Sequence, residues 1–376
     1  MYYIKMNLDD YNYFLPEKNL ALEPAVPRDS SKLFIYDTIV DKIIFDHFYN
    51  LDKYLPKNSF MVMNNTKVLP ARVTMKKESG GKIILLFLVN ELTDSRIVKI
   101  MADREIAVGE KVYFDTSASL STSHLTVVGQ KENIFDLRFN FSRKHLFLLL
   151  KKYGVMPIPP YLKKSTLTRD ELLKKYQTIF AKTDGSAAAP TASLHFTDKV
   201  FDKLDQKSIK KYFVTLHVGM GTFAPITDKN MEKKKLHEEY YEVDSPTLQS
   251  INRLKHEGKK LIAVGTTVVR TLESVAVENF ITRESHHFVV PSKVKNFLPP
   301  PQSIFNKTDL FIFPPYDFKL IDVMITNFHL PKSSLMMLVE AFLQHKRAKK
   351  HLIELYNIAI KNDFRFYSFG DVMLIL

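Results

Sequence analysis

Two histidines stand in short polar segments in the middle of the chain. His195 lies in residues 185–197, a run of mostly small residues without a helical or strand period. His217 ends an apolar stretch, residues 212–218, that breaks into Gly219-Met-Gly221. A histidine can act as a general acid or base near neutral pH, and small residues let a ligand approach the backbone. These segments are therefore a candidate site, the alternative being two loops whose histidines satisfy local hydrogen bonds.

Two further segments combine a buried strand, a polar turn and the start of a helix. In the first, an apolar strand ends at Gly265-Thr266-Thr267, and a helix is predicted from the next residue. In the second, the strand predicted at 320–328 contains Asp322 and is followed by His329 and a helix. Unpaired N–H groups at a helix start favour an anion, and α/β proteins bind ligands at the carboxyl ends of their strands. Both junctions are therefore candidate ligand sites.

The histidines near these strand ends allow three interpretations. They are His195, His217, His237 and His329. A metal site with Asp322 is the first, but no pair has the close spacing that is typical of metal ligands. General acid/base chemistry on an organic substrate is the second, and a structural role is the third. Under the second, we expect the rate to titrate near neutral pH and most turnover to be lost in His217→Gln.

The elements that must position these residues alternate strands and helices over most of the chain. Between residues 70 and 142 the apolar period changes to two, without intervening helices. Short strands are predicted there at 72–75, 82–89, 97–101, 111–114, 125–130 and 134–139. Such a series indicates a small antiparallel barrel. We therefore predict an α/β main domain with a mixed sheet (1–69 and 143–376) and an inserted antiparallel β-barrel domain (70–142).

Composition narrows the class of protein. The 376 residues are 45% hydrophobic, which is enough for a large core, and there is no cysteine for disulfides, thiolate catalysis or cysteine-ligated metals. The formal net charge of +13 suits a polyanion such as nucleic acid, although a background excess of lysine is the alternative. No apolar run reaches the ~18 residues of a membrane span. We expect a cytoplasmic protein without a membrane partner.

Taken together and in order, these segments resemble one family, the S-adenosylmethionine:tRNA ribosyltransferase-isomerases of queuosine biosynthesis. The resemblance runs from Leu15-Pro16 to residues 367–371. Its most specific segments are 28–31, 64–72, 176–178, 188–192, 194–197, 215–219, 221–223, 263–274 and 326–333. The sequence departs from the family pattern at Lys32, Lys67, Ser193 and Pro315, and none of these changes removes a polar group from the histidine segments.

The resemblance implies a substrate, a reaction and a fold. The substrate would be tRNA carrying 7-aminomethyl-7-deazaguanine at the wobble position, and S-adenosylmethionine (AdoMet) would be a co-substrate. The ribosyl part of AdoMet would be transferred and isomerised, giving epoxyqueuosine-tRNA, adenine and methionine. No permanently bound cofactor and no metal are expected, and we expect a monomer. The implied fold, an α/β domain with an inserted β-barrel, agrees with the strand pattern.

The residue types and the resemblance together give the candidate site residues. The acid/base candidates are His195, His217 and His329, with Asp322 orienting one of them; this assignment of roles is ours. For AdoMet we predict Thr191, Gly219, Gly221, Thr222, Gly265, Thr266, Thr267, Arg270, Asn327 and Lys332. For the tRNA substrate we predict Arg28, Asp29, Asn64, Asn65, Tyr176, Gln177 and Phe223.

Structural alternatives stay open for several of these residues. Each histidine can have a purely positional role. Arg270 can form a local ion pair with Glu273, one helical turn away, Arg28 can pair with a nearby aspartate, and the two asparagines can form an Asx turn. For the whole chain, the alternatives are a non-catalytic RNA-binding protein and a metal-dependent hydrolase.

Overall fold

The computed structural model describes residues 7–89, 96–114, 123–131, 134–219, 226–277 and 303–376. Its strands are β1 Lys32–Asp37, β2 Lys42–His47, β3 Ser59–Asn64, β4 Thr66–Val68, β5 Arg72–Lys77, β6 Lys82–Phe87, β7 Ile97–Ala102, β8 Lys111–Phe114, β9 His124–Lys131, β10 Ile134–Phe139, β11 Thr183–Ser186, β12 Lys210–Leu216, β13 Lys235–Val243, β14 Lys260–Val264, β15 Ile304–Leu310, β16 Val323–Asn327 and β17 Val372–Ile375. Its α-helices are α1 Arg143–Tyr153, α2 Arg169–Lys175, α3 Asp198–Gln206, α4 Asp228–Lys233, α5 Ser245–His256, α6 Thr266–Val277, α7 Ser334–His345 and α8 Leu352–Lys361. Short 3₁₀ helices include Arg28–Ser30, Phe48–Lys53 and Thr191–Ser193.

The main sheet has nine strands in the order β15-β13-β12-β3-β14-β16-β17-β1-β2. Strands β12, β3, β14 and β16 are parallel neighbours. Strand β17 is antiparallel to β16, and β1 is parallel to β17, so the sheet is mixed. The amino ends of β17 and β1 therefore lie at the same edge as the carboxyl ends of the four parallel strands.

Helices cover both faces of this sheet, and the central strands show why. Strand β3 is buried along its whole length, as are β16 and β17. Its side chains alternate between two cores, because successive residues of a strand point to opposite faces. Phe60 and Val62 pack in the core shared with α5 to α8, whereas Met61 and Met63 pack in the core shared with α3. The continuous apolar run of β3 thus fits a strand that is covered on both sides.

The second sheet is a closed barrel in the order β10-β7-β6-β5-β8-β9. Its strands alternate buried and exposed residues, as in β6, where Ile83, Leu85 and Phe87 face the interior. The six strands lie where the change of period predicts them. The division into a discontinuous α/β domain and an inserted domain, with its boundaries at residues 69/70 and 142/143, stays a prediction.

Some element bounds differ from the sequence prediction. The strand predicted at 320–328 is shorter in the structure, and β16 begins only after Asp322. Helix α2 ends at Lys175, so Tyr176 directly follows a helix. Within the described ranges, no helix has both the length and the apolar character that crossing a bilayer requires.

Candidate active site

The carboxyl ends of the four parallel strands meet at one edge of the main sheet, as the sequence predicts. The residues that follow or end these strands are His217 after β12, Asn65 after β3, Gly265 after β14 and His329 after β16. The segment around β11 runs beside this edge. It pairs with β4 in a separate parallel ladder, and the N–H of Ala187 donates to the carbonyl of Val218 at 2.9 Å.

A cleft opens at this edge, next to the ends of β14 and β16. It holds about 800 Å³ of space between protein atoms, part of it open to solvent. That volume is within the range of small-molecule sites. Seven predicted site residues line it: Tyr176, Thr191, Gly265, Thr266, Thr267, Asn327 and His329. Its other lining residues include Tyr161, Ala188, Ala189, Val218, Ser333, Tyr367 and Ser368.

One wall of the cleft is the turn from β14 into helix α6. Gly265 has φ +89°, a conformation that favours glycine, and its N–H donates to the carbonyl of Ile325 at 2.8 Å. Thr266 and Thr267 follow at the first turn of α6, where N–H groups lack intrahelical partners and the helix dipole is positive. This wall therefore suits an anionic group such as a carboxylate.

Asn327 supplies a second polar group to the cleft. Its side chain is 3% exposed, and its Oδ1 accepts a hydrogen bond from the Thr191 hydroxyl at 2.8 Å. Its Nδ2 is buried without a hydrogen-bond partner. Because buried amide groups are nearly always hydrogen-bonded, this donor fits a ligand in the cleft.

His329 is fixed at the cleft by three hydrogen bonds of its own and one of its neighbour Phe328. Its Nε2 lies 2.9 Å from the Thr326 hydroxyl, its N–H donates to the Tyr356 hydroxyl at 2.8 Å, and its carbonyl accepts from the Tyr13 hydroxyl at 2.5 Å. The backbone of Phe328 beside it accepts from the N–H of Tyr367 at 3.1 Å. Burial lowers the pKa of His329 to about 3. The ring is therefore neutral at neutral pH, with Nδ1 available on the side away from Thr326.

The other two histidines also have hydroxyl partners, but their rings are not among the lining residues of the cleft. Nδ1 of His217 lies 2.8 Å from the Thr66 hydroxyl, and Nδ1 of His195 lies 2.9 Å from the Ser31 hydroxyl. Burial lowers the pKa of His217 to about 4 and that of His195 to about 3. These pKa values do not support the expected titration near neutral pH. A Cβ on Gly185 would come within 2.7 Å of the His217 ring.

The structure does not bring Asp322 to the histidines. Asp322 precedes β16, whereas His329 follows it, so the strand separates the two residues. Its carboxylate accepts from the N–H of Leu261 at 2.8 Å and from Lys255 Nζ, at the amino edge of the sheet. The prediction that Asp322 orients a catalytic histidine is therefore wrong. The error arose because Asp322 was placed inside the strand, which hid the edge at which it lies.

Arg270 does not face the cleft either. It is 6% exposed and forms an ion pair with Glu239, which is 2% exposed, and its Nε donates to the carbonyl of Leu310 at 3.2 Å. The other oxygen of Glu239 accepts the N–H of Gly219 at 2.9 Å. Arg270 thus pins the glycine turn after β12 from behind the cleft. Glu273 is the partner that the sequence offers for Arg270, but it instead accepts backbone N–H groups, among them that of Leu320 at 3.0 Å.

Arg28 and Gln177 hold backbone groups of the protein itself. Arg28 donates to the carbonyls of Lys174 and Gln177, at 2.9 and 2.6 Å, and so caps the carboxyl end of α2. Gln177 donates to the carbonyl of Val68 at 2.7 Å and accepts its N–H at 3.1 Å. Asp29 accepts from the Thr197 hydroxyl at 2.8 Å. Their proposed contacts with substrate stay a prediction.

The two asparagines and Lys332 are likewise engaged within the protein. Asn64 is buried and accepts the N–H of Thr66 at 3.0 Å, which is the Asx-type contact left open by the sequence. Asn65 accepts from the Thr215 hydroxyl at 2.7 Å. Lys332 pairs with Asp9 at 2.6 Å and is not a cleft residue. Gly221, Thr222 and Phe223 lie outside the described residues.

Comparisons with known proteins show the family to which the chain belongs. Residues 8–375 match a family described as "Queuosine biosynthesis protein". The chain belongs to the queuosine biosynthesis protein family. It is 39% identical over 373 residues to a protein of Thermoanaerobacter sp. (strain X514), covering 99% of this chain and 100% of that one. It is 38% identical over 372 residues to a protein of Thermosipho melanesiensis, covering 98% and 100%. Both relatives are named S-adenosylmethionine:tRNA ribosyltransferase-isomerase.

A solved structure supports the fold. The crystal structure of S-adenosylmethionine tRNA ribosyltransferase from Thermotoga maritima has a TM-score of 0.51 and 29% identity to this chain, covering 98% of this chain and 100% of that one. The predicted family and the predicted fold class are both confirmed.

Some cleft residues were not predicted from the sequence as site residues. Tyr161 and Ser368 line the cleft together, with their hydroxyl oxygens 2.6 Å apart. Tyr367 lines it beside them. The sequence did point to Tyr367 and Ser368, because residues 367–371 belong to the segments that carry the family resemblance. Among the described residues, no group of three histidines or carboxylates is placed to hold a metal; the absence of a metal requirement stays a prediction.

Proposed function

We propose that this chain is the S-adenosylmethionine:tRNA ribosyltransferase-isomerase of queuosine biosynthesis. It transfers and isomerises the ribosyl part of AdoMet onto 7-aminomethyl-7-deazaguanine at the tRNA wobble position. The products are epoxyqueuosine-tRNA, adenine and methionine. The observation that carries the proposal is the match over nearly the full length to relatives of that name, within a family of queuosine biosynthesis.

The cleft has groups suited to each part of AdoMet. The methionine carboxylate fits the start of helix α6, at Thr266 and Thr267, where the helix dipole favours negative charge. The unpartnered Nδ2 of Asn327 is a donor for the same ligand. The tyrosines of the opposite wall, Tyr161 and Tyr367, provide aromatic surface for a purine-like ring.

The reaction needs a base, an acid and an unprotonated amine. The sulfonium acidifies the neighbouring ribose CH₂, which a base can deprotonate, and protonation of the adenine ring helps adenine leave. His329 lies in the cleft as a neutral ring, so it can accept a proton at Nδ1. Burial penalises the charged form, so the ring is a weaker base than a free imidazole and, once protonated, a stronger acid that suits protonation of the adenine ring. We assign His329 this transfer, and give His217 and His195 positioning roles.

Four further properties belong to the proposal. AdoMet acts as a co-substrate without a permanently bound cofactor, no metal is required, and the protein works as a monomer in the cytoplasm. The inserted barrel, residues 70–142, contacts tRNA and not AdoMet.

A single incubation tests the reaction. AdoMet labelled in its ribose is mixed with tRNA carrying the aminomethyl base, with and without a chelator. We expect label on the tRNA and stoichiometric free adenine and methionine under both conditions, and no label on tRNA that lacks the aminomethyl group. Methyl transfer to tRNA would contradict the proposal. Binding without adenine release would favour a non-catalytic RNA-binding protein, and loss of activity with the chelator would favour a metal-dependent enzyme.

A further inference from the structure

Helix α1 has one apolar face and one basic face. Leu146, Leu149 and Leu150 are buried and belong to the core of the barrel. Exposed positions at the two ends of the helix carry four cations, which we call the α1 basic face: Arg143, Lys144, Lys151 and Lys152. No acidic residue occurs in this helix. Leu148, between the two pairs of cations, is 56% exposed.

The α1 basic face borders the catalytic edge of the main sheet. Lys151 Nζ lies 2.8 Å from the carboxylate of Asp184 in β11. The next residue, Gly185, is the one whose backbone lies against the ring of His217. Arg143 is near enough for its charge to contribute to the lowered pKa of His217, after the larger effect of burial. The face therefore lies between the barrel and the His217 end of the site.

The spacing of the cations fits a nucleic-acid backbone. Eight residues separate Arg143 from Lys151, a rise of about 12 Å along the helix, so the two pairs can reach phosphates of different nucleotides. Lys151 is paired with Asp184, whereas the other three cations have no ion pair among the described residues. Such cations can bind phosphates and displace their counterions. Phe147, partly buried in the middle of the face with Arg143 over its ring, gives the same surface an aromatic element.

A wobble base that enters the cleft must leave its own backbone outside. Single-stranded loops are recognised by splaying bases into pockets while cations hold the phosphates. We propose that the α1 basic face binds the phosphates that flank the wobble nucleotide of the tRNA substrate. This inference rests on the proposed function and adds the surface that orients the RNA.

The test compares two triple variants that lose the same charge at different edges. The first is Arg143→Gln, Lys144→Gln and Lys152→Gln, which leaves Lys151 paired with Asp184. The control is Lys57→Gln, Lys210→Gln and Arg253→Gln, three exposed residues at or near the amino edge of the parallel strands. Binding of a tRNA transcript is measured by fluorescence anisotropy at several salt concentrations, and KM for AdoMet is measured separately.

We expect the α1 variant to weaken tRNA binding about 10- to 100-fold. The slope of log affinity against log salt should fall by about 2, because each of the three lost phosphate contacts contributes ~0.7 to it. KM for AdoMet should not change, and the control should bind tRNA within about threefold of the wild type. Replacing Lys144 and Lys152 by arginine instead should preserve binding, because the charge is kept.

Equal tRNA binding by the α1 variant and the control would overturn the inference, as would a salt slope unchanged from the wild type. If the α1 variant binds an acidic protein less tightly than the wild type but binds tRNA equally well, the α1 basic face binds a protein partner and not RNA. Because binding needs no turnover, a wild type that binds tRNA through α1 but releases no adenine would refute the proposed function alone.

Discussion

The two edges of the parallel strands in the main sheet use their polar residues differently. At the amino edge, Asp322 is paired with Lys255 and accepts the N–H of Leu261. At the carboxyl edge, the polar groups of the cleft are neutral, as in His329 with its hydroxyl partner Thr326, and Asn327 keeps an unpartnered donor. The same strands therefore have ion pairs that fix the fold at one edge and neutral groups available to a ligand at the other.

The difference follows from what each edge must do. An ion pair between Asp322 and Lys255 satisfies both groups, so neither is available to a substrate. A neutral, buried histidine has no such partner and can exchange a proton with a ligand. The buried charge pair of Arg270 with Glu239 does not line the cleft, and Glu239 holds the backbone of Gly219. It supports the site without entering it.

The largest expected effect is a loss of turnover when a residue at the carboxyl edge is changed. His329→Gln should retain the fold and AdoMet binding but lose ~10²- to 10⁴-fold in kcat, because an amide cannot take part in proton transfer. The measurement is adenine release under saturating AdoMet and tRNA, with AdoMet binding as the control. Near-normal turnover in the folded variant would remove His329 from the chemistry and move the assignment to His217.

The buried ion pair between Arg270 and Glu239 should contribute mainly to the free energy of unfolding. Glu239→Gln keeps an acceptor for the N–H of Gly219 but leaves the charge of Arg270 buried without its partner. Breaking such a pair costs about 3–5 kcal/mol, to be measured by urea unfolding. The double variant Glu239→Gln, Arg270→Met should recover part of that loss. No recovery would show that the pair acts through something other than the unpaired charge.

Gly185→Ala tests whether the position of the His217 ring matters for turnover. The added Cβ would lie 2.7 Å from the ring Cε1, so the ring must shift away from Thr66. We expect kcat to fall on the order of tenfold, since small displacements of positioned groups are costly. Gly80→Ala is the matched control, because Gly80 also has a positive φ (+97°, against +152° at Gly185) but its Cβ would meet no atom within 4 Å. If both variants turn over equally, the ring position is not critical.

Asp322→Asn tests the amino edge directly. The amide can still accept the N–H of Leu261, but the ion pair with Lys255 is lost. We expect a loss of about 1–3 kcal/mol in unfolding free energy and a kcat within about twofold of the wild type. A large loss of kcat without a loss of stability would return Asp322 to the catalytic machinery and would break the comparison.

The last expected effect is a dependence of stability on pH. The pKa of His217 falls from 6.5 to about 4 on folding, so between these values the unfolded chain binds more protons than the folded one. The contribution of His217 is therefore complete above pH 6.5 and is lost as pH falls towards 4. In His217→Gln the slope in this window should decrease by up to about 1.4 kcal/mol per pH unit.

Local patterns in the sequence determined most of the architecture near the site. The change of apolar period to two marked the six strands of the barrel, because alternate residues of a strand face the interior. The strand-turn-helix junctions at Gly265 and His329 placed both residues at strand ends, and parallel strands necessarily bring such ends to one edge. The family resemblance, carried by the same segments, added the substrate and the reaction.

Only the tertiary structure decided which polar groups meet. Arg270 pairs with Glu239, 31 positions away in the chain, because β13 lies between β12 and β15 in the sheet, an order that periodicity does not encode. Asp322 lies at the amino edge because β16 begins at Val323, three residues after the start of the strand predicted at 320–328. The low pKa values of the three histidines likewise come from burial by segments far apart in sequence. Strand order and burial are properties of the packed chain, and they set which of the candidate residues a ligand can reach.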